Sequence, residues 1–495
     1  MSGAPGLVLA SFAACVGCFL LLGIASFARS RGTCADYYLA SRSVSPALVG
    51  LSAVATNNSG YMFIGVIGYT YASGLAAVWL MVGWILGDLL ASFAVHRQLR
   101  LATERTRELT FVGVLAHWSA GDQRRLRVVA ALFTLVFLGA YAAAQIAAGS
   151  KALDALFGWG REAGALLTAS MVVAYCLAGG IRASIWTDAA QAFVMLLAMA
   201  VLLVAAVAGL GGAAASWQRL QHIPDFMSWF PDDLLVPGVA GMGLFAVGWL
   251  FAGLSVIGQP HVMVRFMALD DPAGLARARL WYYTFFVAFY AMATAVGLLS
   301  RVYLPELATL DPELALPEMA ELLLPPALVG LLLAGIFAAT MSTADSLVLS
   351  CSAAITQDLR RHPASSLLHA RLATLGVTAC ALAVAVSETR SVFDLVVLSW
   401  STLASAFAPL LIVHALGNRP TQTQALAMLA AGVLVAWGWR MVGLADRVYE
   451  GMPGILCGLA TYYLMAAAAT TRRTSLLTRA TPIPPSDAAG PRLRT

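Results

Sequence analysis

Apolar runs of roughly 20 residues, separated by short polar links, recur from one end of the chain to the other. Each is long enough to cross the ~30 Å hydrocarbon core of a bilayer as a helix. They predict thirteen spans near 6–28, 46–73, 76–95, 127–150, 162–181, 188–212, 236–258, 278–300, 326–355, 369–387, 391–416, 424–442 and 452–470. The first run has no basic segment before it and no polar cleavage zone after it, so it reads as a retained helix. A shorter stretch, 109–118, reads as an interfacial helix. The expected fold class is an all-α polytopic membrane protein.

Polar residues inside three spans break this pattern. In the ninth, Ala339, Ser342, Thr343 and Ser346 fall at i, i+3, i+4 and i+7, on one helix face. Small residues there admit a neighbouring backbone, and the hydroxyls offer oxygen ligands without net charge. Helix-to-helix glue is the plainer use of such residues. Asp345 points to function, because carboxylates inside membranes are costly, although it lies off that face. The second span carries Asn57, Asn58, Ser59 and Gly60 at mid-depth, and the seventh is interrupted near Gly258 and Pro260. These two spans stand five apart, hence in opposite orientation, the pattern of an inverted-repeat transporter with broken helices at its binding site. Unwinding is expected at 56–60 and 257–260. Backbone freed there must line a cavity or an ion. Carbonyls at Ala55 and Asn58 with the Ser342 and Thr343 hydroxyls would suit Na+. Tyr141, mid-span, either covers a solute or bonds a helix carbonyl. Asp188, placed at the start of the sixth span, either attracts departing cations or caps that helix. His261 reads as structural.

Composition agrees with the pattern. The 495 residues are 60% hydrophobic and 11% charged, with a mean hydropathy of +0.80. The net charge of +5 comes without a basic block suited to nucleic acid. Of the 30 Lys and Arg, 23 fall on the side that a model with the N-terminus outside and the C-terminus inside places in the cytoplasm. The seven Cys are scattered, and the Cys15–Cys18 pair lies within an apolar helix, so no disulfide framework or zinc site is indicated. No serine triad, metal-ligand spacing, Walker loop or dinucleotide fingerprint occurs, and neither enzymatic activity nor an organic cofactor is expected. The chain reads as one transporter domain over 1–470, with its inverted-repeat core near 46–416 and a cytoplasmic, disordered tail over 471–495.

The segments DYYLASRSVSP, SAVATNNSGYMFIGVIGYTYASG, GGIRASIWTDAAQ, GQPHVMVRFMALDD, AATMSTADSLVLSCSAAITQDL and YEGMPGI resemble the sodium:solute symporter family, and within it the sodium/proline branch. The resemblance implies a leucine-transporter-like bundle with one helix before and two after a ten-helix core. It implies Na+-coupled import of a small solute across a bacterial inner membrane. By position it places the sodium site on carbonyls of Ala55, Asn58 and Ala339 and hydroxyls of Ser342 and Thr343, and the cytoplasmic ion exit on Asp188. It places the solute beside Tyr141, Ala252 and Val256; Trp400 is added because it stands beside the small residues Ser401 and Ser405. Asn57 stands where the branch has an acid, and Ala252 and Val256 where it has Trp and Tyr, which enlarges the expected pocket. Proline or another amino acid is the favoured solute; a carboxylate or other small metabolite, or a sensor working with a separate signalling partner, are the alternatives. The expected partners are the solute, Na+ and the lipid bilayer.

Overall fold

A computed structural model describes residues 5–119, 123–309, 311–362, 366–387 and 392–479. Its helices are α1 (Pro5–Ala25), α2 (Cys34–Leu39), α3 (Pro46–Phe63), α4 (Gly65–Ser73), α5 (Val78–Thr106), α6 (Phe111–His117), α7 (Arg124–Phe157), α8 (Arg161–Gly209), α9 (Ala213–Gln221), α10 (Val239–Leu254), α11 (Pro260–Met267), α12 (Leu275–Tyr303), α13 (Ala315–Leu323), α14 (Pro326–Ala353), α15 (Leu367–Ser387), α16 (Val392–Ala415), α17 (Gln422–Met441) and α18 (Gly451–Arg479). Among the described residues, eleven helical stretches are long and apolar enough to span a membrane. The 49-residue α8 is too long for a single crossing and breaks at Gly180 (φ +57°, ψ −142°), so it counts as two. A Cβ at Gly180 would sit 2.4 Å from the Tyr37 carbonyl oxygen, so only glycine fits this turn. Counting α3–α4 as one further, broken crossing gives the thirteen expected.

Helix α14 is the centre of the bundle. Nearly every residue from Leu332 to Ala353 is buried, and α8, α7, α1 and α3 pack around it. A helix apolar on all faces and buried on all faces is a core element. It ends in a single π-turn, Ala354–Asp358.

Both expected interruptions are present. In α3, Ser59 adopts φ +45°, ψ 176°. The amides freed there find substitutes, Gly60 N donating to Gln145 Oε1 at 2.8 Å and Tyr61 N to Ser59 Oγ at 3.1 Å. Between α10 and α11 the chain passes through a 3₁₀ turn, Ser255–Gly258, and extended Gln259, then restarts at Pro260, which has no amide to leave orphaned.

One expectation fails. The 109–118 stretch is not an interfacial helix: α6 is tucked under the bundle with Phe111–Leu115 buried, capped by Thr110 Oγ1 accepting from Gly113 N. Its apolar run is satisfied by protein and not by lipid headgroups. The last membrane span runs Gly451–Thr470, as expected, and the helix that carries it, α18, continues to Arg479. The remainder of the tail and Arg390 lie outside the described residues.

Candidate functional site

The break in α3 faces the middle of α14, and hydroxyls join the two. Ser342 Oγ lies 3.2 Å from the Ala55 carbonyl oxygen and 3.1 Å from that of Ala339. Thr343 Oγ1 donates to the Thr56 carbonyl at 2.8 Å. Thr56 Oγ1 in turn lies 3.2 Å from the Ser342 carbonyl and 3.3 Å from Ser346 Oγ. Ala55, Ala339 and both hydroxyls are therefore gathered, with Thr343 reaching Thr56 instead of the Ala55 carbonyl. Asn58 is fully buried, and its amide has no hydrogen-bond partner among the described residues.

Beside this seam lies an ionic cluster that sequence reasoning described only in part. Asp188 is not a helix cap at the membrane face. It stands two turns beyond Gly180 inside α8, fully buried, and accepts from Ser52 Oγ at 2.6 Å. Arg265 of α11, also fully buried, reaches Asp188 Oδ2 at 3.3 Å and Asp345 Oδ1 at 3.8 Å. It also donates to Ser52 and Ser184 at 3.2 and 2.8 Å, and to Ser346. Asp345 leaves α14 off the hydroxyl face, as its spacing implies, but its carboxylate accepts from Ser346 Oγ at 2.7 Å and Ser184 Oγ at 3.0 Å. The acid therefore belongs to the same network. The missed member, Arg265, had one sequence signal: a lone guanidinium in the apolar run PHVMVRFM, where a charge needs a reason.

The expected solute residues divide. Tyr141 and Trp400 meet edge to face at 6.2 Å between ring centroids, and His261 completes the group at 5.5 Å from Tyr141 and 5.9 Å from Trp400. Gln259 Nε2 donates to the Trp400 carbonyl at 2.9 Å, which ties the second break to α16. The Gln259 Oε1, both His261 nitrogens and the Trp84 and Trp400 indole N–H groups are buried without partners among the described residues. Ala252 and Val256 are fully buried on the end of α10 and its 3₁₀ turn, which pack against α5 and α16. They add apolar surface and no polar group.

Closures stand at both ends of this path. At one, Arg127 of α7 grips Glu108 at 2.7 and 3.2 Å and Asp358 at 3.0 Å, while Arg124 caps the carbonyls of Asp358 and Leu359 at 2.7 Å each. Just inside is a cavity of about 30 Å³, touching Thr110, Arg265, Ser346 and Asp358. At the other end, Tyr69, Phe393, Tyr61, Trp84 and Trp400 form a continuous column, each centroid 5.3–5.8 Å from the next. Above it opens a cavity of about 240 Å³ lined by Tyr69, Trp249, Arg440, Tyr449 and Glu450.

Two discontinuous helices in opposite orientation, meeting at mid-membrane beside an oxygen-rich seam, define a secondary transporter of the leucine-transporter fold. Solved structures agree at the level of fold. A Na+-coupled sialic acid symporter in a substrate-bound, outward-open state matches with a TM-score of 0.78 at 18% identity, covering 92% of this chain and 98% of that one. A nucleobase-cation-symport-1 family transporter in a closed conformation matches at 0.55 and 15%, covering 88% and 95%. The chain belongs to the sodium:solute symporter family, whose model matches residues 37–432. It is 31% identical over 469 residues to the sodium/proline symporter of Salmonella typhimurium (strain LT2), covering 91% of each chain. It is 29% identical over 459 residues to the high-affinity proline transporter PutP of Bacillus subtilis (strain 168), covering 90% of this chain and 95% of that one.

Proposed function

We propose that this Na+-coupled symporter imports proline or a closely similar amino acid, with Na+ held between α3 and α14. The observation that carries the ion site is the convergence of Ala55 O, Ala339 O and Ser342 Oγ within 3.2 Å across the α3 break. These are neutral oxygens already brought together by hydroxyl hydrogen bonds, which Na+ would replace by ion–oxygen contacts, with the Asn58 carbonyl and Thr343 Oγ1 completing the set. The solute lies against Tyr141, Trp400 and His261, between the two closures. An aromatic box suits a pyrrolidine ring, and the unpartnered Gln259, His261 and Trp400 groups suit its polar end. Ala252 and Val256 form the apolar wall of that site. Asp188 and Arg265 lie between the ion and the small cavity behind Glu108, on the ion's way to the cytoplasm. The N-terminus lies outside and the C-terminus inside, with residues 1–470 acting as one transport unit in the inner membrane.

The test is uptake by proteoliposomes of radiolabelled proline, other amino acids and carboxylates, driven by an imposed Na+ gradient. Proline accumulation that vanishes when K+ replaces Na+ is the expected result. Preference for a carboxylate, or no accumulation of any solute, overturns the substrate assignment. Val256→Tyr combined with Ala252→Trp should change the order of preference among amino acids, and an unchanged order would move the pocket elsewhere.

A further inference from the structure

Among the described residues, Asp88, Asp188 and Asp345 are acids with no exposed surface inside membrane-spanning helices, and Arg265 is an equally buried guanidinium. Arg265 serves Asp188 and Asp345. Asp88 on α5 has no such partner, and neither of its oxygens makes a hydrogen bond of good geometry among the described residues. An intramembrane acid left this way is expensive unless a cation neutralises it during the working cycle.

Its surroundings say where its charge would act. On one side α10 is pressed against α5, so tightly that a Cβ at Gly87 would sit 1.9 Å from the Leu250 carbonyl oxygen. On the other, α12 turns Tyr282 and Tyr283 toward the carboxylate, with Arg279 and Tyr290 farther off. Arg279 is occupied elsewhere, donating to the Ser92 carbonyl at 2.5 Å and lying over the Phe93 ring. On α5 itself, His96 stacks on Phe266 of α11, and Trp84 lies tilted against Trp400 of α16. Tyr282 is the link onward. Its oxygen accepts from Asn57 Nδ2 at 2.7 Å, which leaves its own proton for Asp88. Asn57 adjoins Asn58 and the break at Ser59.

We propose that Asp88 is a proton-binding carboxylate wired through Tyr282 and Asn57 to the broken segment of α3, its ionised form strengthening Na+ binding and its protonated form weakening it. The inference rests on the assignment of Na+ to the α3–α14 seam. Asp88 is a positioning residue, separated from that segment by the Tyr282 hydroxyl and the Asn57 amide. At the effective dielectric of ~20 that suits protein interiors, one charge at that remove alters cation affinity roughly 10-fold. The sign follows directly: raising the pH removes the proton, leaves a negative charge, and lowers the Na+ concentration required.

The experiment measures Na+-dependent thermal stabilisation of the purified full chain, and Na+-driven uptake, at about pH 5.5 and about pH 8.5 and constant ionic strength. In the wild type the half-saturating Na+ concentration should fall about 10-fold from the acid to the alkaline condition. Asp88→Asn should hold it at the acid value at both pH values, and Asp88→Glu should restore the response. The exchange Asp88→Asn with Asn57→Asp, which moves the carboxylate to the other side of the Tyr282 hydroxyl, should restore it too. Tyr282→Phe keeps the ring and cuts the link, so it should flatten the profile even if Asp88→Asn does not fold. A wild-type pH response retained in full by Asp88→Asn or Tyr282→Phe overturns the proposal. Ser342→Ala separates the two readings: it should raise the Na+ requirement at both pH values and keep their ratio. If Ser342→Ala leaves the Na+ curve unchanged, the ion site itself is misplaced.

Discussion

At the residue scale, the proposed ion seam has hydroxyls that are unequal in partner but similar in expected consequence. Thr343→Ala removes an oxygen that ties α14 to the Thr56 carbonyl, while Ser342 and the carbonyls remain. The Na+ concentration for half-maximal uptake should rise about 10-fold, close to 1.4 kcal/mol. By linkage, apparent solute affinity at subsaturating Na+ should weaken by a similar factor. Spacing alone would make Asp345→Asn nearly silent, because the acid leaves the helix on another side. The network through Ser184, Ser346 and Arg265 changes that expectation. Asp345→Asn leaves Arg265 with Asp188 as its one remaining buried carboxylate, so it should alter Na+ dependence measurably, though less than Asp188→Asn. Titrations of uptake against Na+ for the three variants decide the order, and a silent Asp345→Asn would restore the simpler view. The hydroxyls on one face of α14 were legible in the sequence because helical periodicity fixes which residues share a face. Arg265, Ser52 and Ser184 were not, because their meeting depends on three segments far apart in the chain.

At the element scale, sequence reasoning located both helix breaks, since polar and Gly/Pro residues at mid-membrane leave few alternatives. It missed the depth of α6, whose apolar residues could equally well have faced lipid headgroups. Gly180 illustrates an element-level dependence that spacing does not reveal. Its positive φ and the 2.4 Å approach to the Tyr37 carbonyl leave no room for a methyl group. Gly180→Ala should destabilise the protein by about 1–3 kcal/mol, seen as a lower unfolding temperature in detergent. The same corner holds Asp36, whose carboxylate receives Arg182 at 2.6 Å. Burial raises the Asp36 pKa, but hydrogen bonds from Arg182, the Arg31 amide and Ser41 outweigh it and hold the group below the ordinary carboxylate range. A depressed folded-state pKa contributes stability above the unfolded value that is lost as the pH falls through the folded one. Asp36→Asn should therefore lower the unfolding temperature at neutral pH, with the deficit shrinking below about pH 4. A deficit independent of pH would assign the effect to packing.

At the scale of the whole molecule, the buried charges acquire an electrical meaning. Asp188, Asp345 and Arg265 together carry one net negative charge when both acids are ionised. In an alternating-access cycle the cluster hardly moves, but the aqueous face it communicates with changes, so the membrane potential acts on whatever charge it bears. Loaded with Na+, the cluster is close to neutral and crosses the field at little cost. Empty, it is an anion, and an inside-negative potential favours the arrangement open to the outside by up to ~2.3 kcal/mol per 100 mV. Voltage should then drive the return of the unloaded carrier more than the entry of the solute. Transient charge movements in supported membranes, recorded without Na+ or solute at an acid pH that keeps Asp88 protonated, should be present in the wild type and lost in Asp345→Asn. An electrically silent empty carrier, with all the current in the solute step, would contradict this. If the charge movement is present, the membrane potential works chiefly as a reset, returning an empty binding site to the side where sodium is abundant.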